Sequence, residues 1–259
     1  MVQYEMTTKR KFQKKHSKSV AFLIFVLIFN FWIWRVFAFN IFLGVLLIFS
    51  SLFLLLALQS EQKKYFYLVI ATTSFLLFFQ WKTSHITPIS YLNEHETLLL
   101  QERLRGYPPI GFSLGSKKIW IPVANWLELR RETLAFYKMQ ANISEVLDPN
   151  LYFFANHPRE RVGVVEVENF PYVFFPAFVF GFFALSKKDS KLVAVFLSPL
   201  VLISLIGNSS PAGPLSLFPV VAVLTSLGLE KMITKKTHVA LFIVLFVFIF
   251  IQTYAYTIY

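Results

Sequence analysis

Two short runs hold the side chains best suited to chemistry: Asn93-Glu94-His95-Glu96 and Asn156-His157-Pro158-Arg159-Glu160-Arg161. A carboxylate can serve as general base toward an acceptor hydroxyl if it reaches the proton it removes. Glu94 and Glu96 are the carboxylates expected to fill that role. They also open a predicted helix, where Asn93 caps and Glu96, three residues on, completes a capping box; capping and solvation alone account for them too. In the second run Arg159 and Arg161 offer planar donor forks that match phosphate, with His157 and Glu160 beside them. The expectation is contact with a lipid phosphate or a pyrophosphate leaving group. The other reading is a solvated ion-pair network that fixes the segment to a membrane surface. A metal site would need His157 and Glu160 brought against the first run. Neither a metal nor a cofactor is expected.

Other chemistry finds little footing. The chain has no cysteine, which excludes disulfides, thiolate nucleophiles and thiolate-bound metals. No nucleophile elbow surrounds a serine, and no glycine loop follows a strand to cradle phosphate. Asn142-Ile143-Ser144 and Asn208-Ser209-Ser210 match the glycosylation pattern, which arises often by chance.

Both runs lie in residues 82–170, which carry 10 of the 14 acidic and 10 of the 25 basic side chains and are charge-balanced. The rest is oil. With 56% apolar and 15% charged residues in 259 and a mean hydropathy of +0.58, the chain reads as a polytopic helical membrane protein. The fold class is all-α, with about seven transmembrane helices and a mostly helical extracytoplasmic domain between spans three and four. The expected order is a basic cytoplasmic tail (1–18), three spans (19–81), the outer domain (82–170) and four spans (171–259).

The spans are placed at Ser19 to Trp34, Phe39 to Leu58, Tyr65 to Trp81, Phe170 to Ser186, Leu192 to Ile206, Leu215 to Leu229 and Val239 to Tyr256. This threading puts every short basic cluster on one side: the tail, Lys63 with Lys64, Lys187 with Lys188 and Lys191, and Lys231 with Lys235 and Lys236. Such clusters mark cytoplasmic loops, so the N-terminus is expected inside a bacterial-type plasma membrane. The formal charge of +11 sits in these flanks, which argues against nucleic acid as a partner. Within 82–170 the sequence predicts a helix from Asn93 to Gly106, a short hairpin between Tyr107 and Pro122, and a helix over about Ala124 to Asn142. A turn follows at Asp148-Pro149-Asn150, then a strand or membrane-dipping piece at Leu151 to Ala155.

A resemblance is carried by Asp148-Pro149-Asn150-Leu151-Tyr152-Phe153-Phe154, by Asn156-His157-Pro158-Arg159, by Phe170-Pro171 opening a span and by Lys187-Lys188 in an inner loop. Together with Pro211-Ala212-Gly213-Pro214-Leu215, Pro219 and Gly228, residues 148–230 resemble the C-terminal part of bacterial membrane glycosyltransferases of the protein O-mannosyltransferase type. That resemblance implies an outward-facing site for a polyprenyl-phosphate sugar. The family keeps its catalytic acidic residue in the first outer loop; here that loop, Arg35 to Asn40, holds no Asp or Glu. The expected function is an integral cell-envelope protein that binds a lipid-linked glycan or phospholipid headgroup, a reduced glycosyltransferase-like protein. The alternative is a non-enzymatic scaffold or complex subunit whose outer domain docks a partner protein.

Overall fold

The computed structural model describes residues 18–60, 62–83, 110–121, 131–154, 169–184, 190–206, 213–233 and 242–248, with Glu94, Thr97, Leu98, Gln101, Glu102, Arg105, Ala240 and Ile251. The protein is mostly helical. In chain order it forms α1 (Lys18–Ile28), α2 (Phe31–Phe39), α3 (Ile41–Gln59), α4 (Lys63–Thr83), a hairpin of β1 (Ile110–Leu114) and β2 (Lys117–Ile121), α5 (Arg131–Leu147) and the one-turn α6 (Asn150–Phe153). A 3-10 turn (Tyr172–Phe174) then leads into α7 (Phe175–Ala184), followed by α8 (Ser190–Ile206) and α9 (Phe218–Met232). Residues 242–248 are helical as well.

Two asparagines cut the first apolar run into three helices. Asn30 and Asn40 are both extended, and each side chain accepts from the backbone N–H three residues on, Ile33 at 3.1 Å and Leu43 at 3.2 Å. Asparagine is among the strongest N-caps because its short side-chain oxygen reaches those unpaired donors. The break at Asn30 bends α2 by 64° from α1. The carbonyl of Ile28 at the end of α1 is satisfied by the indole Nε1 of Trp34 at 2.7 Å. The expected span from Ser19 to Trp34 is therefore found as two short helices bent at Asn30. The apolar pattern is continuous through the break, but local side-chain bonds replace the missing helical ones.

Of the described helices only α3 is long and apolar enough to cross a membrane alone; the bent pair α1 and α2 counts as a second if it is one span. At 19 residues α3 reaches about 28 Å. Among the described residues the expected count of seven spanning helices is not reached. As described, α7 has 10 residues, α9 has 15, and α8 has 17 with Pro199 inside. Helix α4 has 21 residues but begins with two lysines and dilutes its run with Thr72, Thr73, Ser74 and Gln80.

Helix α9 is the centre of the bundle. Every residue from Phe218 to Ser226 is buried, then Gly228 and Leu229, as expected of a helix apolar all round. It packs most closely on α7 and then on α3, which pairs with α4. The α7 contact is possible because small residues meet: a Cβ at Gly181 would stand 1.9 Å from the Leu224 carbonyl oxygen. Helix α1 is clasped to residues 242–248 by rings at helical spacing. Phe25 lies 5.1 Å from Phe242, and Phe29 lies 4.9 Å from Phe246. Helix α5 rests on α8, where Asn142 Nδ2 donates to the Ser204 carbonyl at 3.0 Å and Val146 meets Leu200 and Ile203.

The expected strand at Leu151 to Ala155 is corrected as far as it is described: Asn150–Phe153 is a helical turn with Tyr152 and Phe153 buried. Four residues are too few for periodicity to separate strand from helix. The expected hairpin is present, with Leu114 paired to Lys117 across Gly115 and Ser116. Glu94, Thr97, Leu98, Gln101, Glu102 and Arg105 are helical, in keeping with the predicted helix there. The predicted second helix is described from Arg131 and runs on to Leu147.

Candidate functional site

At the N-terminal end of α9, aromatic rings build a wall around Trp32. Its indole lies 5.2 Å from the Phe218 ring, 6.1 Å from Phe170 and 5.9 Å from Tyr152. Gly213, with φ of +73°, brings the chain against the same indole: a Cβ there would meet Trp32 at 3.3 Å. A left-handed backbone carrying no side chain suits that approach.

Asn169 ties three elements together beside this wall. Its carbonyl accepts from the Trp32 N–H at 2.9 Å, which satisfies a first-turn donor of α2. Its Nδ2 donates to the Leu151 carbonyl at 2.7 Å, and its Oδ1 accepts from an Arg35 guanidinium N–H at 3.3 Å. The next residue, Phe170, donates its N–H to the Tyr152 carbonyl at 2.7 Å. Two adjacent bonds thus join Leu151-Tyr152 to Asn169-Phe170. The stretch 155–168 begins and ends at one pinned base.

That base is stiff. Asp148 accepts from the Asn150 N–H at 2.9 Å, the local bond that turns the chain between α5 and α6. Tyr152 donates its hydroxyl to the Val146 carbonyl at 2.8 Å. Burial raises the Tyr152 phenol far above its ordinary range, because the phenolate would lose its hydration. Close by in sequence to Gly213, Ser216 donates to Gln80 Oε1 twice, from its N–H at 3.0 Å and its hydroxyl at 2.5 Å. This couples the end of α4 to the entry of α9.

Arg35 is the ionisable group the structure adds. Its side chain is exposed, and the bond to Asn169 uses one of five guanidinium donors. The remaining fork has the chemistry to receive a carboxylate or phosphate. From sequence, Arg35 was placed only at the start of the first outer loop, and Asn169 was not singled out. The available signal was an asparagine directly before Phe170-Pro171, where a helix entry needs capping partners. Of the expected site residues, Glu94 is helical and exposed. Glu96, His157, Arg159, Glu160 and Arg161 lie outside the described residues. Among the described residues no three His, Asp or Glu side chains stand together in a way that could hold a metal ion.

At the opposite end of α9 a groove of about 310 Å³ runs between Phe180, Leu229, Met232, Phe242 and Leu245, with Lys231 at its edge. The Lys231 ammonium donates to the Ala184 carbonyl at 3.2 Å. Near the same end, the Ser19 hydroxyl donates to Glu230 and fastens the start of α1 to α9.

Against known protein families, curated proteins and solved structures, the chain matches none.

Proposed function

We propose that this chain is an integral membrane protein whose helices form a seven-segment bundle, N-terminus inside, and whose residues 82–170 stand on the outer face and bind a phosphate-bearing lipid headgroup. The exposed apolar side chains support the embedding: Phe49, Phe75, Phe78, Phe183, Val201 and Phe248 all face outward from their helices. In water such surface would drive aggregation; in lipid it is the ordinary exterior.

One observation carries the headgroup reading: the Arg35 guanidinium at the pinned base formed by Asn169 and Leu151. The run His157, Arg159, Glu160 and Arg161 belongs to the stretch that leaves and re-enters this base. Arg35 would contribute one cation and Arg159 with Arg161 two more toward a single phosphate or pyrophosphate. The partial resemblance to polyprenyl-phosphate-sugar transferases points to the same class of ligand. Catalysis, if it occurs, needs Glu94 or Glu96 within a substrate's width of Arg159.

Lipids that stay with the detergent-purified protein can be identified by mass spectrometry. A bound polyprenyl-phosphate or other phosphate-rich lipid, lost on Arg35→Gln and on Arg159→Gln with Arg161→Gln, is the expected result. Bulk phospholipid alone, unchanged by these substitutions, would remove the proposal.

A further inference from the structure

The hairpin shows little of its surface to the rest of the chain. All of Ile110 to Leu114 is exposed, as are Lys117 to Trp120. Its connection is two residues, Gly115 at φ +63° and Ser116, with open space where a Gly115 side chain would be. A tight hairpin turn calls for that left-handed residue.

The register sorts its side chains. Alternate residues of a strand share a face, and directly paired residues share it across strands. Phe112 pairs with Ile119 and Leu114 with Lys117, so Ile110, Phe112, Leu114 and Ile119 form one apolar face, with Lys117 at its tip. Ser113 pairs with Lys118 and Gly111 with Trp120 on the other face. The Trp120 ring lies over Gly111, 3.2 Å from where a Cβ would be. Leu114, next to the turn, is 75% exposed, and Phe112 is 55% exposed. The ribbon is amphipathic and basic at its turn. A two-stranded hairpin by itself is marginal in water, so its apolar face needs a cover.

We propose that the cover is the bilayer: the hairpin lies on the membrane surface with Ile110, Phe112, Leu114 and Ile119 in the headgroup–acyl border and Lys117 against anionic headgroups. This rests on the membrane reading above. Two features select lipid over a protein partner. Lys117 at the tip of the apolar face suits a negatively charged surface. The hairpin also lies in sequence between α4 and α7, which the reading above places in the membrane, so the bilayer is present at high effective concentration and no partner must be recruited.

The chain lacks cysteine, which makes its single-site labelling direct. Phe112→Cys, Leu114→Cys and Ser113→Cys variants would carry an environment-sensitive dye in nanodiscs of phosphatidylcholine and phosphatidylglycerol. Labels at 112 and 114 are expected to be blue-shifted and quenched by doxyl-labelled lipid, while the label at 113 is quenched by aqueous iodide. Lys117→Glu should raise iodide quenching at 114 severalfold. Iodide quenching of 112 and 114 in the parent chain overturns the proposal, and so does shielding from both quenchers, which would mean protein cover. Failure of the chain to enter nanodiscs sinks the membrane reading as well. Entry with a wet hairpin sinks this inference alone.

Discussion

Gly228 of α9 faces the backbone of α7 so closely that a Cβ on it would lie 1.7 Å from the Ala177 carbonyl oxygen and 2.8 Å from the Gly181 nitrogen. The obstacle at both places is main chain, which cannot rotate aside. Close helix approach through small residues is a recurrent way to associate helices where lipid gives no hydrophobic driving force.

Gly228→Leu and Gly181→Leu are therefore expected to cost about 3 kcal/mol or more each, above the usual overpacking range. Gly44→Ala is the comparison, since the nearest atoms a Cβ there would meet, at 2.5–2.7 Å, belong to the Phe37 side chain, which can turn where main chain cannot. Unfolding by heat or by increasing SDS, followed by circular dichroism, should show large losses for the first two and a small one for Gly44→Ala. Equal effects at all three would contradict the packing described.

The kink after α1 makes its own prediction. Asn30→Ala removes the cap on Ile33 and should cost about 1 kcal/mol. Spin labels on Ile24→Cys and Phe39→Cys, both at exposed positions, should then report a longer and broader distance as the 64° bend relaxes. An unchanged distance distribution would show that the packing of Trp32, not the cap, sets the angle.

Asn169 can be taken apart by replacement. Asn169→Leu loses the donor to Leu151 and the acceptor for Arg35 and should cost about 1–3 kcal/mol through the partners left unpaired. Asn169→Asp keeps the acceptor and adds charge opposite Arg35, but sets a carboxylate oxygen against the Leu151 carbonyl. Adding Arg35→Gln to the Asp variant should lower its thermal midpoint further. No further loss would mean that the Arg35 bond adds nothing.

Tyr152 gives a pH dependence whose sign is fixed by burial. The folded phenol is held above its ordinary value of 10.0, so the fold keeps a proton that the unfolded chain releases. Its contribution is fully present below about pH 10 and declines as pH rises beyond that. Tyr152→Phe should flatten the alkaline fall in stability relative to the parent. It should also cost about 1 kcal/mol at neutral pH, through loss of the bond to Val146.

Much of the helical layout was legible because apolar runs and charged flanks are local features. Helix α3 was expected from Phe39 to Leu58 and is found at Ile41–Gln59; α4 was expected from Tyr65 to Trp81 and is found at Lys63–Thr83. The hairpin was readable from Gly115-Ser116 and the alternation beside it. The bend at Asn30 was not, because its two stabilising bonds come from side chains that also read as ordinary interface markers. Asn169 was missed for a different reason: its partners Trp32 and Arg35 are remote in sequence. Seven spans are not found among the described residues, since hydropathy counts apolar side chains and does not register what Pro199 inside α8 or the run Thr72 to Ser74 in α4 does to a helix.

The bond from Arg35 to Asn169 joins residues 134 positions apart. A growing chain makes α2 long before it makes the asparagine that receives Trp32 and Arg35. For that interval the local bonds of Asn30 and Trp34 alone shape the first apolar stretch. The tie to Asn169 is added only when a residue far along the chain arrives, so the bend and its fastening are separate steps.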